Sequence, residues 1–253
     1  HENDAALRLC RLAEGPGCTH NPDIKEGKIE LTATVDGCFT VRSEALLAVN
    51  SVPQVMVATR KGNTAVRAGD KLAGMRVIPL VIDESVLDEA DAVAAAAPGA
   101  GPLCEVVPFR LRRVGIVTTG SEVAGGLIED SFTPVVQAKL AAYGIEMVAH
   151  ELPGDDVDDI VAAIGRVREA GVDLVVCTGG MSVDPDDNTP GAIQRSGAAM
   201  VTYGAPVLPG AMLFVGYYAD GIPVLGLPGC VMFAKATILD LVLPRIAAGI
   251  RLS

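Results

Sequence analysis

The chain of 253 residues has no run of the roughly 18 consecutive apolar residues that a membrane-spanning helix needs. Half of its residues are hydrophobic, but Gly, Pro and Asp break the apolar stretches into short pieces, a pattern that favours buried strands. An excess of positive charge is also lacking, since the formal net charge is −11, and no polybasic run or signal-type leader is seen. We therefore expect neither a membrane protein nor a nucleic-acid-binding protein.

Cysteine pairs at metal-ligand spacing are missing as well. The six cysteines are scattered without a C-x-x-C pair, so the sequence shows neither zinc-site spacing nor the density of a disulfide scaffold. Only three histidines are present, which argues against a histidine-based metal site. Cys177 lies in an apolar segment and is interpreted as a small buried hydrophobe. We expect a reduced, cytoplasmic protein and, because residue 1 is not Met, a fragment of a longer chain.

The composition changes near residue 100. The alanine-rich segment Ala90–Pro102 ends in Pro and Gly residues, so we predict a domain boundary there. A smaller α+β, β-rich domain is expected over residues 1–103, and its sequence carries no catalytic signature. The second domain, residues 104–253, alternates apolar strands with helices. This alternation predicts an α/β fold with a mostly parallel sheet and helices on both faces.

The expected elements of the second domain follow from apolar runs bounded by Gly, Pro and capping residues. Strands are predicted over Val114–Thr118, Ile145–His150, Asp173–Cys177, Ala211–Tyr218 and Ile222–Leu227. Helices are predicted over Asp130–Tyr143, Val157–Ala170, Thr189–Ser196 and, kinked at Pro244, Gly229–Ala247.

Three glycine-containing loops follow predicted strands of the second domain: Thr118–Glu122, the Gly179-Gly180 loop and Gly226–Cys230. Because parallel strands end at one edge of a sheet, all three loops are expected to line a single crevice. The last loop opens into a predicted helix, whose free N–H groups suit a phosphate. The alternative is that the glycines only form tight turns, but three such loops at one edge favour a ligand site. None matches G-x-G-x-x-G or the P-loop, which argues against dinucleotide and Walker-type nucleotide binding.

Three aspartates, Asp184, Asp186 and Asp187, lie in the loop after Gly180. Their carboxylates repel one another and any phosphate unless a cation lies among them, and a hard, oxygen-preferring ion such as Mg²⁺ fits that role. The alternative is that they cap the helix that begins at Thr189, where negative charge is favourable. We expect both: Asp187 functional, with Asp184 as a second metal ligand, and Asp186 mainly a cap.

The segment from about Val114 to Gly249 resembles the molybdopterin-binding domain shared by molybdopterin adenylyltransferases and molybdopterin molybdenumtransferases. The matching pieces keep the order and spacing of that family and cover a little over half of the chain. They are TTGSEV (Thr118–Val123), the turn Gly126–Asp130, Gly154–Asp156, TGGMSVDPDDNTP (Thr178–Pro190), VLPGAM (Val207–Met212) and GLPGC (Gly226–Cys230). The sequence is most similar to the molybdenumtransferase branch and, within it, to stand-alone molybdopterin-binding proteins.

The resemblance implies a cytoplasmic, self-associating protein, a dimer or trimer, that holds the pterin and its phosphate at the sheet edge. It places functional carboxylates at Asp156 and Asp187. If the protein is catalytic, the reaction that it implies is insertion of molybdate-derived metal into an activated pterin. The residues of the matching motifs that we expect to bind the cofactor are Thr118, Thr119, Gly120, Glu122, Gly179, Gly180, Met181, Ser182, Thr189, Pro209, Gly210, Pro228, Gly229 and Cys230.

Two positions depart from the molybdenumtransferase pattern. The usual PGKP element has Ala211 in place of its lysine, and the usual LPGNP element ends here in Cys230-Val231. Loss of the lysine removes a point charge suited to molybdate or phosphate, which favours a non-catalytic carrier or sensor as the alternative function. A nucleotide pyrophosphatase on the same scaffold is the second alternative. Cys230 could be a reactive thiol at a helix N-terminus, but a small residue required for packing is the favoured interpretation.

Overall fold

The computed structural model describes residues 1–127, 129–182, 184 and 187–253. It divides into two compact units, His1–Phe109 and Arg110–Ser253. The division falls six residues beyond the boundary expected at residue 103, because the strand Cys104–Pro108 pairs with Gly37–Val41 of the first unit. No helix in the described part of the chain is long and apolar enough to span a bilayer.

The first unit combines three helices with two small antiparallel sheets. Its elements in chain order are α1 (Glu2–Ala13), β1 (Cys18–His20), β2 (Ile29–Ala33), β3 (Gly37–Val41), α2 (Ser43–Ser51), β4 (Val55–Thr59), β5 (Thr64–Val66), β6 (Lys71–Val77), α3 (Glu84–Ala96) and β7 (Cys104–Pro108). One sheet has the order β1-β2-β6-β4 and the other β5-β3-β7. Apolar residues of α1 recur at three- and four-residue spacing, so one face of this helix is buried in the core of the unit.

The second unit is an α/β domain. Its elements are β8 (Arg113–Thr118), α4 (Ser121–Ala124), α5 (Phe132–Ala141), β9 (Glu146–Glu151), α6 (Val157–Glu169), β10 (Leu174–Thr178), α7 (Thr189–Arg195), β11 (Ala199–Tyr203), β12 (Phe214–Tyr217), β13 (Pro223–Leu227), a 3₁₀ turn (Gly229–Met232) and α8 (Ile238–Ala247). The six-stranded sheet has the order β11-β12-β13-β10-β8-β9. β9, β8, β10 and β13 are parallel, whereas β12 pairs antiparallel with β13 and β11 pairs antiparallel with β12.

Helices cover both faces of this sheet, as alternate residues of β8 show. Val117 belongs to the core formed with α6 and α7. Thr118 points to the opposite face, where its Oγ1 lies 3.0 Å from Oγ1 of Thr133 in α5. The mixed α/β class, the mostly parallel sheet and the covering helices, all predicted from the sequence, are therefore confirmed.

The parallel strands were predicted to within one residue at each end. Two other expectations need correction, because the strand predicted over Ala211–Tyr218 begins only at Phe214 and the final helix is interrupted. The final helix does not run from Gly229 to Ala247: a single 3₁₀ turn is followed by an irregular segment, and α8 starts anew at Ile238. The reason is a capping box, in which Oγ1 of Thr237 accepts from the Leu239 N–H at 3.2 Å and the Asp240 carboxylate accepts from the Thr237 N–H at 2.7 Å. Strand β11, which pairs with β12, was not predicted.

Candidate functional site

The register of the parallel strands brings the glycine loops to one edge of the sheet. Thr118 pairs with Thr178, and Thr178 pairs with Leu227. The loops that follow β8, β10 and β13 therefore leave the sheet at the same level. Phe214, the first residue of β12, pairs with Gly226, so the turn that precedes it reaches this edge too. The edge is the place where open α/β sheets bind their ligands.

Buried threonines form the floor of this edge. Six polar side chains are buried in the described part of the chain, and all are threonines: Thr118, Thr119, Thr133, Thr178, Thr189 and Thr237. Oγ1 of Thr119 donates to the Thr178 carbonyl at 3.2 Å and lies 3.1 Å from Oγ1 of Thr189. The hydroxyl of Thr178 is buried without a hydrogen-bond partner among the described residues. Buried hydroxyls are normally paired, and Thr178 is an exception to this rule. The hydroxyls of Thr119 and Thr189 lie directly beneath the Gly179-Gly180 loop.

The Gly179-Gly180 loop lies against this floor in a conformation that needs glycine. Gly179 has φ +82°, and a Cβ there would overlap the carbonyl oxygen of Thr119 and lie 2.6 Å from its Oγ1. Gly180 has φ +50°, and its Cβ would lie 2.9 Å from Oγ1 of Thr189 and 3.7 Å from Oδ1 of Asp187. Three of the predicted site residues, Thr119, Gly180 and Asp187, are thus brought together.

The aspartate loop is closed by hydrogen bonds of its own. The Asp187 carboxylate accepts from the Ser182 N–H, and the Asp187 N–H donates to the Asp184 carbonyl at 3.0 Å. The Tyr203 hydroxyl donates to the Ser182 carbonyl at 3.0 Å. Burial and the negative charge of Asp187 raise the pKa of Tyr203. Asp187 is half-buried and Asp184 exposed; Asp186, expected to act as a cap, lies outside the described residues.

Asp155 and Asp156, which are adjacent in the chain, have different roles in the structure. Asp156 is exposed and caps α6, accepting from the N–H groups of Asp158 and Asp159 at 2.9 and 3.3 Å. Asp155, in the loop after β9, instead links that loop to the loops after β8 and β10. Its carboxylate accepts from the Ser121 N–H at 2.9 Å and hydroxyl at 2.6 Å, and its carbonyl accepts from the Asn188 amide at 2.9 Å. The sequence analysis singled out Asp156, but the residue that connects the loops after β8, β9 and β10 is Asp155.

A second polar network lies beside the loops, and the sequence analysis missed it. Nε2 of His150 lies 3.2 Å from Oγ1 of Thr118, 3.1 Å from Oγ1 of Thr133 and 3.4 Å from the Asp130 carboxylate. Asp130 also accepts from the N–H groups of Phe132 and Thr133 at the start of α5. Burial alone would raise the pKa of Asp130, but hydrogen bonds from the Thr133 hydroxyl and both backbone groups outweigh it and lower the pKa. The available signal was a histidine near the end of the strand next to β8.

The turn before β12 packs on the start of α8. Gly210 has φ +112°, and a Cβ there would lie 2.6 Å from Cγ2 of Ile238. The Pro209 carbonyl accepts from the Ile238 N–H at 3.1 Å. Ala211, half-buried, accepts through its carbonyl from the Ala205 N–H at 2.7 Å. The turn in which Ala211 replaces the family's lysine is therefore held in a defined position at this edge of the sheet.

The other predicted site residues differ in how exposed they are. Met181 is buried against Gly226, where a Cβ would lie 2.8 Å from its sulfur, so its side chain belongs to the core. Gly229 is exposed beside Phe132, and Cys230 is half-buried in the 3₁₀ turn. Of the remaining predicted site residues, Pro228 is buried, Gly120 is half-buried and Glu122 is exposed. The expected long helix dipole behind Gly229 is absent, because only one 3₁₀ turn follows it.

This geometry defines a class: an α/β domain with glycine loops, threonine hydroxyls and carboxylates at the carboxyl edge of its parallel strands. The particular family follows from comparison with known proteins. Residues 115–248 match the family described as a probable molybdopterin binding domain. The match covers more than half of the chain, and the chain belongs to this family, which confirms the resemblance seen in the motifs.

Individual relatives match shorter parts. A CinA-like protein of Mycobacterium tuberculosis is 37% identical over 83 residues, which are 33% of this chain and 19% of the relative. The CinA-like protein of Mycobacterium avium is 36% identical over 83 residues, which again are 33% of this chain and 19% of the relative. The match thus spans about a fifth of the length of these curated relatives.

Among solved structures, the molybdopterin biosynthesis enzyme MoaB of Thermus thermophilus is 25% identical, with a TM-score of 0.46, covering 55% of this chain and 98% of that one. The protein CinA of Thermoplasma acidophilum, described as of unknown function, is 19% identical, with a TM-score of 0.45, covering 54% and 98%.

Proposed function

We propose that this chain binds molybdopterin, or its adenylylated or metallated form, at the carboxyl edge of β8, β10 and β13 and acts in molybdenum cofactor biosynthesis. The observation that carries the proposal is the link that Asp155, in the loop after β9, makes to the loops after β8 and β10, within the segment that matches the family.

The chemistry of the edge suits a pterin that carries a phosphate. Gly179 and Gly180 have no side chains to shield their peptide groups, which lets a phosphate approach the backbone. The carboxylates of Asp155 and Asp187 are acceptors, and the amino and ring N–H groups of a pterin are donors. We assign the phosphate to the glycine loop and the donor-rich ring to the neighbouring carboxylates.

A cation is part of this proposal. Mg²⁺ binds through one or two carboxylates together with phosphate oxygens and water, so Asp184 and Asp187 of the described residues suffice as its protein ligands. When bound, the ion would neutralise charge on the phosphate. The residues themselves then act by position: Ser182 N–H holds the Asp187 carboxylate in the loop, and Tyr203 holds the Ser182 carbonyl.

Whether molybdate is inserted into the bound pterin depends on the residue at position 211. An alanine offers neither a charge nor a side-chain hydrogen bond, so we propose that the chain binds the pterin but inserts molybdate slowly, as a carrier or sensor would. The test is metal insertion by the wild type and by Ala211→Lys. Turnover by the wild type at rates typical of an enzyme contradicts the carrier function. A strong gain in Ala211→Lys shows that the missing charge was the reason.

Binding itself is tested by identifying any pterin that co-purifies with the full chain, through oxidation and fluorescence, and by titrating molybdopterin with and without Mg²⁺. We expect Asp187→Asn to abolish metal-dependent binding with little loss of stability, because a half-buried loop carboxylate makes few packing contacts. The matched variant Asp184→Asn is expected to have a smaller effect. Equal, mild effects would mean that the carboxylates serve only the loop. Hydrolysis of nucleotides without pterin binding would instead favour the pyrophosphatase.

Self-association is the remaining part of the proposal. Three large apolar side chains of the second unit, Leu127, Leu208 and Phe233, are more than 80% exposed. Burying such side chains is favourable by roughly 1.5–3 kcal/mol each. We expect a dimer or trimer, and sedimentation velocity of the wild type and of Phe233→Ser tests this.

A further inference from the structure

The first unit carries a cluster of metal-ligating side chains that has no part in the proposed pterin site. It consists of Cys10, Glu14 and His20. One ligand atom from each side chain, a thiol sulfur, a carboxylate oxygen and an imidazole nitrogen, lies within 4.8 Å of the ligand atoms of the other two. Oε2 of Glu14 lies 3.7 Å from Sγ of Cys10 and 2.6 Å from Nδ1 of His20. In the part of the chain that the structure describes, no other three Cys, His, Asp or Glu side chains converge in this way.

Local structure builds this cluster from a short stretch of sequence. Cys10 lies in the last turn of α1 (Glu2–Ala13), and Glu14 is the residue that ends the helix, where its N–H donates to the Cys10 carbonyl at 2.8 Å. The chain then reverses through Gly17, which has φ +73° and where a Cβ would overlap the carbonyl oxygen of Val106. This glycine-dependent turn returns His20, at the end of β1, to the end of the helix.

The three ligand types are those that zinc uses. Zinc binds thiolate at about 2.3 Å and imidazole or carboxylate at about 2.0–2.2 Å in a tetrahedron, which places ligand atoms roughly 3.3–3.7 Å apart. The Cys10–Glu14 separation already has this value. The Glu14–His20 pair must open by about 1 Å or less, and both side chains are partly exposed, at 25% and 33%. Mg²⁺ and Ca²⁺ prefer all-oxygen sites, and the cluster offers one carboxylate.

We propose that Cys10, Glu14 and His20 bind one divalent cation of borderline softness, for which Zn²⁺ is the best match, with a fourth position left for water or another ligand. Burial, reinforced by the neighbouring Glu14, raises the pKa of the Cys10 thiol to about 12. The free thiol therefore stays protonated at neutral pH, and a bound cation must compete with that proton. A cation displaces the thiol proton and breaks the Glu14–His20 hydrogen bond.

The test is a titration of the full chain with Co²⁺, a spectroscopic substitute for Zn²⁺, followed by displacement with Zn²⁺. We expect one Co²⁺ per chain with a thiolate-to-cobalt charge-transfer band. Removing a group that only orients a metal ligand already costs about 10- to 100-fold in affinity, so His20→Ala, which removes a direct ligand, is expected to weaken binding by at least about 100-fold. His1→Ala is the matched control, since His1 lies at the chain end.

Each outcome decides the proposal. Loss of affinity in His20→Ala with wild-type affinity in His1→Ala supports it. The absence of a charge-transfer band, equal binding by His20→Ala, or loss of the site in His1→Ala overturns it. Cys10 is fully buried, so Cys10→Ser is compared only after thermal unfolding has shown a wild-type transition. His20 is partly exposed, and its variant keeps the proposal testable if Cys10→Ser does not fold.

Discussion

Replacing Gly179 with alanine is expected to damage both the stability of the second unit and its ligand site. A side chain at φ +82° costs about 1–2 kcal/mol. The added Cβ also overlaps Thr119, whose N–H donates to the Thr178 carbonyl at 2.8 Å. If Thr119 moves away, that hydrogen bond is lost at a cost of about 0.5–1.5 kcal/mol. The free energy of unfolding should therefore fall by about 1.5–3.5 kcal/mol.

Tyrosine fluorescence during urea unfolding measures the change in the free energy of unfolding of the second unit. All four tyrosines lie in the second unit and the chain has no tryptophan, so the signal reports on that unit alone. Gly165→Ala is the matched control, because Gly165 is exposed within α6 and nothing lies within 4 Å of its added Cβ. Replacing this helical glycine with alanine should raise the free energy of unfolding by about 0.5–1 kcal/mol.

Molybdopterin affinity of the same variants completes the experiment. We expect Gly179→Ala to bind at least about tenfold more weakly, equivalent to about 1.4 kcal/mol, and Gly165→Ala to bind as the wild type does. A Gly179→Ala protein with the wild-type urea midpoint and wild-type affinity would refute the close contact between the two loops. Loss of stability without loss of affinity would separate the loop from the ligand.

Three further results are expected. Asp155→Ala should weaken pterin binding, measured by titration, because it releases Ser121 from the loop after β9. Asp156→Ser, which keeps a cap for α6, should unfold like the wild type yet bind the pterin more weakly; unchanged binding would leave Asp156 as a cap only. Hydrogen bonds from Lys28 and Lys71 lower the pKa of Glu30 from 4.5 to about 2, so its stabilising contribution is present above pH 4.5 and lost as the pH falls towards 2. Glu30→Gln should flatten that part of the acid unfolding curve, followed by circular dichroism.

The sequence by itself determined the class of fold and which loops share one edge of the sheet. Short apolar runs such as that of β10 have the length and composition of buried parallel strands, and the glycines after them predicted loops. Since parallel strands end at one edge, the loops that carry Thr119 and Gly179 were predicted to line one crevice without knowledge of the strand order. Family motifs with the same order and spacing added the ligand class.

Only the tertiary structure decided which polar groups meet. Asp155 and Asp156 are adjacent and chemically identical, and what separates them is a contact between Asp155 and Ser121, 34 residues away. His150 joins Thr118 only because β9 lies beside β8 in the sheet. The Cys10–Glu14–His20 cluster likewise requires a chain reversal against β7 that no ligand-spacing rule anticipates. Local sequence fixes backbone conformation through sterics and capping, whereas hydrogen-bond partners depend on which strands pack together, a choice made by burial of the whole core.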